Sequence, residues 1–233
     1  GLVAFIDILG FSKEIKEKWN NQQDNPLSKL LEFKKSFLHV GSLINKKADL
    51  EPETEGFGVR FKCRVQTISD SIIVSYGFTK NEPPQLAMLG VMGLIDTISA
   101  MWRSALEHGF TIRGAISFGP IYWDSSEIIG PTFISAYEAE HSFAKTSRVI
   151  LTSDANRLVK RILETNTLWN DDILKSLSKD IDGYIIVNPH NLYWPESDKE
   201  NVVQKLRQLQ ENANHRDKEK YSPILAALSI DRK

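Results

Sequence analysis

Leu2 to Leu9 is an apolar run broken by one carboxylate, Asp7, and closed by Gly10. A short continuous run of this kind, bounded by a turn signal, reads as a buried strand. Ser12 follows as a helix cap with Glu14, Ile15 and Lys16 behind it. Asn20 to Pro26 is polar and turn-rich, a loop. Leu27 to Ile44 carries Leu30, Leu31, Phe33, Phe37, Leu38 and Val40 in a roughly helical stripe. Asp49 to Gly58 is acidic, holds Pro52 and reads as a surface loop. From Val59 to Ile68, Arg60, Lys62, Arg64 and Gln66 alternate with Phe61, Cys63, Val65 and Thr67, the pattern of a half-buried strand. Ser69-Asp70-Ser71 interrupts it and Ile72 to Tyr76 resumes, which predicts a hairpin with a carboxylate at its tip.

Gln85 to His108 predicts the main core helix, followed by a strand over Thr111 to Phe118, a break at Gly119-Pro120 and a short strand at Ile121 to Trp123. Glu127 to Pro131 reads as strand, turn and helix start, leading into a helix over Phe133 to Phe143 and a strand at Val149 to Leu151. Beyond Ser153 the expected elements are a helix over Ala155 to Leu163, a helical piece at Ile173 to Leu177, a strand at Tyr184 to Val187 and a polar helix over Val202 to Asn214. This order predicts one α+β domain with an antiparallel or mixed sheet and helices packed on it.

Composition narrows the class. Of 233 residues, 41% are hydrophobic and 25% charged, which excludes disordered and fibrous chains. With 29 basic and 30 acidic residues the net charge is −1, and no polyanion-binding surface dominates. The lone Cys63 has no internal disulfide partner and fits no metal-ligand spacing, so a cytoplasmic home is expected. Gly1 leads straight into the first apolar run without a basic region, which speaks against a signal peptide and reads as a chain lacking a few leading residues. The uncharged stretch from Pro83 to Ile95 is stopped by Asp96, short of the roughly 20 residues a membrane span needs.

Two constellations carry candidate chemistry. Asp7 ends an apolar strand and runs into Leu9-Gly10-Phe11-Ser12; a charge there is costly unless it is paired or binds a cation. The adjoining turn presents backbone N–H groups at a helix start, a place that holds phosphates. Asp70 at the hairpin tip is the second, although an aspartate in a turn is also an ordinary turn residue. Two such carboxylates brought together suit Mg²⁺ or Mn²⁺.

Asp7 with Gly10-Phe11-Ser12, Ser69-Asp70, Arg113-Gly114-Ala115-Ile116-Ser117-Phe118-Gly119 and Glu127-Ile128-Ile129-Gly130 follow one another in an order that resembles the class III nucleotidyl cyclase catalytic domain. Within it the chain looks most like the bacterial pyrimidine cyclases of antiphage, Pycsar-type signalling; Ala136-Tyr137-Glu138 after Gly130-Pro131 adds to that. The resemblance implies a class III cyclase-like fold with a ferredoxin-like βαββαβ core over about 2–152 and a C-terminal α/β extension over 153–233. It implies conversion of UTP, or CTP, to the 3′,5′-cyclic monophosphate and pyrophosphate, in a homodimer with active sites at the interface, with neither nucleic acid nor membrane as partner.

The same resemblance implies the roles. Asp7, Asp70 and the carbonyl of Ile8 would hold two divalent ions, Mg²⁺ or Mn²⁺. Leu9, Gly10, Phe11 and Ser12 would bind phosphates through their amides. Gln66, four residues before Asp70, stands where adenylyl cyclases have Lys and guanylyl cyclases Glu; its amide donates and accepts at once, which suits a pyrimidine edge. Arg64 and Glu127 would complete base reading, with Gln66 and Glu127 supplied by the opposite subunit. Ile134 and Glu138 stand where adenylyl cyclases place the Asn and Arg that stabilise the transition state, so Arg113, Lys145 and Arg148 become candidate cations. Each of these residues also has a plain reading as strand surface or ion pair. The alternatives are a catalytically degenerate regulatory protein, a purine cyclase, or a palm-type nucleotidyltransferase, for which the charge gives no support.

Overall fold

In the computed structural model of the chain, residues 1–21, 23–36, 62–77, 84–124, 127–165, 170–189 and 196–229 are described. The expected loop at Asp49 to Gly58, the second half of the helix expected to reach Ile44, and the start of the strand expected from Val59 lie outside them.

The first strand, β1 (Leu2–Ile8), is flanked antiparallel by β3 (Ser71–Gly77) and β4 (Ile112–Phe118). β2 (Lys62–Ile68) pairs antiparallel with β3 in the expected hairpin, and β7 (Val149–Leu151) runs parallel to β4. With β8 (Leu177–Lys179) and β9 (Ile185–Val187) beyond, the strands form one mixed sheet in the order β2-β3-β1-β4-β7-β9-β8. A separate two-stranded hairpin, β5 (Tyr122–Trp123) and β6 (Ile128–Ile129), stands between β4 and the helix that follows.

β1 reads as an apolar run, broken only at Asp7, because both its faces are covered. Leu2, Ala4, Ile6 and Ile8 join the main core, while Val3 and Phe5 join a smaller cluster with Ile73 and Ala136. The main core is built on α3 (Pro84–Glu107), whose Met88, Val91, Leu94, Ile95, Ile98, Met101, Trp102 and Ala105 are all buried at helical spacing. Trp102 is wholly enclosed, and its indole N–H donates to Thr111 Oγ1 at 3.0 Å, so the one polar atom of that side chain is satisfied. The smaller cluster is covered by α4 (Pro131–Phe143). Gly114 makes the β1–β4 pairing possible: a Cβ there would lie 2.5 Å from Phe5 O and from Ile6 Cδ1.

Two further helices precede the hairpin: α1 (Phe11–Lys18) and α2, helical over residues 26–36. After β7 come α5 (Ser153–Thr165) and α6 (Asn170–Lys175). The sheet continues where the sequence reading placed the end of a helix: Leu177–Lys179 pairs with Ile185–Val187 as β8. A three-residue strand has too little alternation to be seen locally, and pairing with β9 decides its state. The chain ends in α7 (Glu196–Asn212), α8 (His215–Lys218), a 3₁₀ turn and α9 (Ser222–Ser229). Val202 and Leu206 of α7 and Ile224 and Leu228 of α9 belong to the main core, so α7 begins earlier and is better packed than a solvated polar helix. Among the described residues, no helix is long and apolar enough to cross a membrane.

Candidate active site

Register places the first carboxylate. Asp7 lies opposite Ser71 on β3 and Arg113 on β4, on the sheet face that α4 covers. Arg113 donates to Asp7 Oδ2 from Nη2 at 3.0 Å and from Nε at 3.2 Å. Arg113 Nε also stands 3.0 Å from Oε1 of Glu140. Burial pushes the Asp7 carboxyl above its ordinary range; the Arg113 hydrogen bond opposes this and the charge of Asp70 adds to it.

Glu140 is the residue the sequence reading missed. The buried residues of α4 are Thr132, Ala136, Ala139 and Glu140, so the acid occupies the inward stripe of the helix. Burial raises its pKa, Arg113 lowers it, and the charges of Asp7 and Asp70 raise it again. The available signal was the stripe itself, since 140 is four residues beyond Ala136. Glu138 and Ile134, the two positions of interest on this helix, face solvent.

Asp70 sits on the β2–β3 turn, one residue from the Ser71 that faces Asp7. Ser69 before it has φ of 54°, in the left-handed region that costs a side chain about 1–2 kcal/mol. Lys34 of α2 donates to the Ser69 carbonyl. Burial lowers the Lys34 pKa while Asp70 raises it, which places this ammonium beside the turn. Lys34 was not legible in the sequence, because only the fold brings α2 to the hairpin. Ser69→Gly is expected to stabilise the chain by about 1 kcal/mol through removal of the left-handed strain, read as a higher urea midpoint at unchanged slope; an unchanged or lower midpoint would contradict this origin of the strain.

The turn expected to bind phosphates is formed by Gly10, with φ of 83°, whose carbonyl accepts from the N–H of Lys13 and of Glu14. A Cβ on Gly10 would meet nothing within 4 Å, so the space over the turn is open. The N–H groups of Gly10, Phe11 and Ser12 have no acceptor among the described residues, as expected at a helix start. Leu9 differs from expectation: its N–H donates to Thr111 O at 2.9 Å and is not available to a phosphate.

Gln66 and Arg64 lie opposite Ile73 and Ser75, on the same sheet face as Asp7. Gln66 is two strands and one row from Asp7, roughly 12 Å by strand and residue spacing. The Arg64 guanidinium lies over the Trp123 ring, 5.0 Å from its centroid, and so reaches the β5–β6 hairpin. Glu127 is exposed in the turn of that hairpin, its N–H donating to Asp124 Oδ1 at 2.9 Å. Arg64 and Glu127 are thus both at the β5–β6 hairpin, and Gln66 lies one row along β2 from Arg64.

Of the three candidate cations only Arg113 faces Asp7. Arg148 is buried and both its terminal nitrogens are engaged: Nη1 contacts Asp180 Oδ2 at 2.5 Å and Asp182 Oδ2 at 2.6 Å, and Nη2 donates to Phe143 O at 2.8 Å, while Nε has no hydrogen-bond partner among the described residues. These contacts tie the β8–β9 turn to the end of α4. Lys145 is exposed in the loop after α4.

The residues present fit a divalent cation. Three carboxylates (Asp7, Asp70 and Glu140) stand against two cations (Arg113 and Lys34), which leaves an excess of negative charge in a half-buried place. Among the described residues, no group of three or more acidic, imidazole or thiol side chains is placed to hold a metal ion.

No model of a known protein family matches the chain, and no curated protein matches it. Among solved structures, the crystal structure of the adenylyl cyclase CyaB from P. aeruginosa aligns over 83% of this chain and 96% of that chain, at 14% identity and a TM-score of 0.47.

Proposed function

We propose that the chain is a class III nucleotidyl cyclase specific for pyrimidines, forming 3′,5′-cyclic UMP from UTP, with CTP as the alternative substrate, as a cytoplasmic second messenger of antiphage defence. The observation that carries this reading is the meeting of Asp7 and Asp70 at one end of the sheet, beside the open space over the Gly10 turn. The strand order β2-β3-β1-β4, with helices after β1 and β3, supports the ferredoxin-like core.

Two divalent ions, Mg²⁺ or Mn²⁺, held by Asp7, Asp70 and the Ile8 carbonyl, would supply charge neutralisation at the α-phosphate and acidify the ribose 3′-hydroxyl. The amides of Gly10, Phe11 and Ser12 hold the β- and γ-phosphates as the helix start of α1 favours. The ribose 3′-oxygen bonds to the α-phosphorus, the α–β bridging bond breaks, pyrophosphate leaves with its charge held by that turn, and the 3′ proton passes to water. Positioning and electrostatics carry such a transfer, and no side-chain base is assigned.

Exposed Tyr122, Ile129, Ile134 and Tyr137 on the β5–β6 hairpin and α4 support a homodimer in which Gln66 and Glu127 serve the partner's site. The exposure of Ile134 and Glu138, where adenylyl cyclases place Asn and Arg, favours one second reading, a nucleotide-binding regulatory protein without turnover. The test offers UTP, CTP, ATP and GTP separately to purified protein with Mn²⁺. Cyclic UMP is expected as the main product; a cyclic purine product would contradict the Gln66 reading, and nucleotide binding without product would favour the regulatory one.

A further inference from the structure

We propose that Arg113 is the resident counter-ion of the metal-free site, and that Glu140 is the positioning carboxylate that receives it when a divalent cation takes Asp7. This deepens the metal reading of Asp7 and Asp70 and rests on it.

The hydrogen count at Arg113 carries the inference. Nε has a single hydrogen, and it is directed to Asp7 Oδ2 at 3.2 Å, beside the Nη2 bond to the same oxygen at 3.0 Å. Glu140 Oε1 is nearer to Nε, at 3.0 Å, yet it receives no hydrogen bond among the described residues. Its side chain is 4% exposed. A buried carboxylate oxygen without a donor is costly, and native chains seldom leave one. Here it is an acceptor already in place.

The three groups stand on separate rigid elements: Asp7 on β1, Arg113 on β4 and Glu140 on α4. A cation arriving at Asp7 repels the guanidinium, and with Glu140 absent Arg113 would have to leave for water or block the site. With Glu140 present, a turn of the guanidinium moves its hydrogens from Asp7 to Oε1 and keeps the arginine beside the reacting phosphate. Two arrangements of one side chain, each with its own carboxylate, make a discrete switch.

The test is Mn²⁺ binding to the nucleotide-free protein, read from the paramagnetic resonance signal of free Mn²⁺ in wild type, Arg113→Met, Glu140→Gln and the double variant. Arg113→Met is expected to tighten binding about tenfold and Glu140→Gln to weaken it about tenfold, a pair of opposite shifts of the size expected of one half-screened charge. In the Arg113→Met background, Glu140→Gln is expected to change affinity less than about twofold, because Glu140 acts through the arginine. Equal weakening in both backgrounds would overturn the proposal and make Glu140 a direct ligand or a bulk charge. Wild-type affinity in Glu140→Gln would also overturn it. Absence of Mn²⁺ binding in the wild type would overturn the metal reading itself, a distinguishable failure. A measurement on unaltered protein guards against variants that do not fold: the Arg113 Nε–H resonance, assigned with Arg113→Lys, is expected to shift on addition of Mg²⁺, and an unmoved resonance at saturation would overturn the proposal.

Discussion

Asp70→Ala is expected to lower formation of cyclic nucleotide about 10²–10³-fold, the cost of removing one preorganised charged group from a transition state, without lowering the stability of the fold. The two halves of this expectation have one cause. The Asp7 carboxyl is held above its ordinary range by burial, and the charge of Asp70 pushes it further; Glu140 feels both neighbours. A carboxyl whose folded pKa is raised costs stability when ionised, and the cost appears as pH rises through the window between its unfolded and folded values. Neutral pH lies above the unfolded values, so removing the Asp70 charge relieves repulsion at the working pH. Asp70 itself lies on a half-exposed turn with no core to lose. Function and stability therefore move apart, the usual mark of carboxylates assembled for a cation. Rates of product formation and urea midpoints, measured on the same preparation, check both halves; lost activity with lost stability would mean that Asp70 is a structural turn residue.

Arg148→Met is expected to be far more damaging to the fold, by about 3–5 kcal/mol, the usual cost of breaking a buried ion pair from one side. The Arg148 side chain is 8% exposed and that of Asp180 3% exposed. Removal of the guanidinium leaves Asp180 buried without its cation, strips Asp182 of its contact at 2.6 Å, and frees Phe143 O at the end of α4. Exposed pairs behave differently. Asp24 is drawn down to about 2 by hydrogen bonds from Lys18 and Lys29, yet it lies in solvent, where such contacts contribute about 0–1 kcal/mol. Its stabilisation is present above the ordinary carboxylate range and is lost as pH falls toward 2. The measurement is the thermal midpoint of Arg148→Met beside Asp24→Asn. A near-neutral Arg148→Met would show that the β8–β9 turn is held by other contacts.

The difference between these two arginines marks how much was legible in the sequence. Arg113 and Arg148 read alike as cations near strands, and no local pattern separates them. Arg113 faces Asp7 because its strand is the neighbour of β1 in the sheet, while Arg148 is taken by a turn more than thirty residues away, at Asp180. Elements with strong periodicity were legible: β1 as an apolar run, the β2–β3 hairpin around Ser69-Asp70, and α3 by its buried stripe. The turn at Gly10 was visible because a glycine ends an apolar run, and its φ of 83° explains the residue. β8 and α9 were not visible, since three residues of strand and a short apolar helix take their state from what they pack on. At the site, Asp7 and Asp70 could be named from the chain. Lys34 could not, because a lysine on α2 reads as surface until the fold brings it to the hairpin, and Glu140 was missed although its four-residue spacing from Ala136 places it on the inward stripe of α4.

Mass balance in a single reaction tests the central claim most directly. Purified protein is incubated with UTP and Mn²⁺, and cyclic UMP and pyrophosphate are quantified from the same tube. Intramolecular transfer at Asp7 and Asp70 predicts equal molar amounts of the two and no UDP or orthophosphate. UDP with orthophosphate, or UMP with pyrophosphate and no cyclic product, would mean that water attacks in place of the ribose 3′-oxygen, and the cyclase account would be wrong.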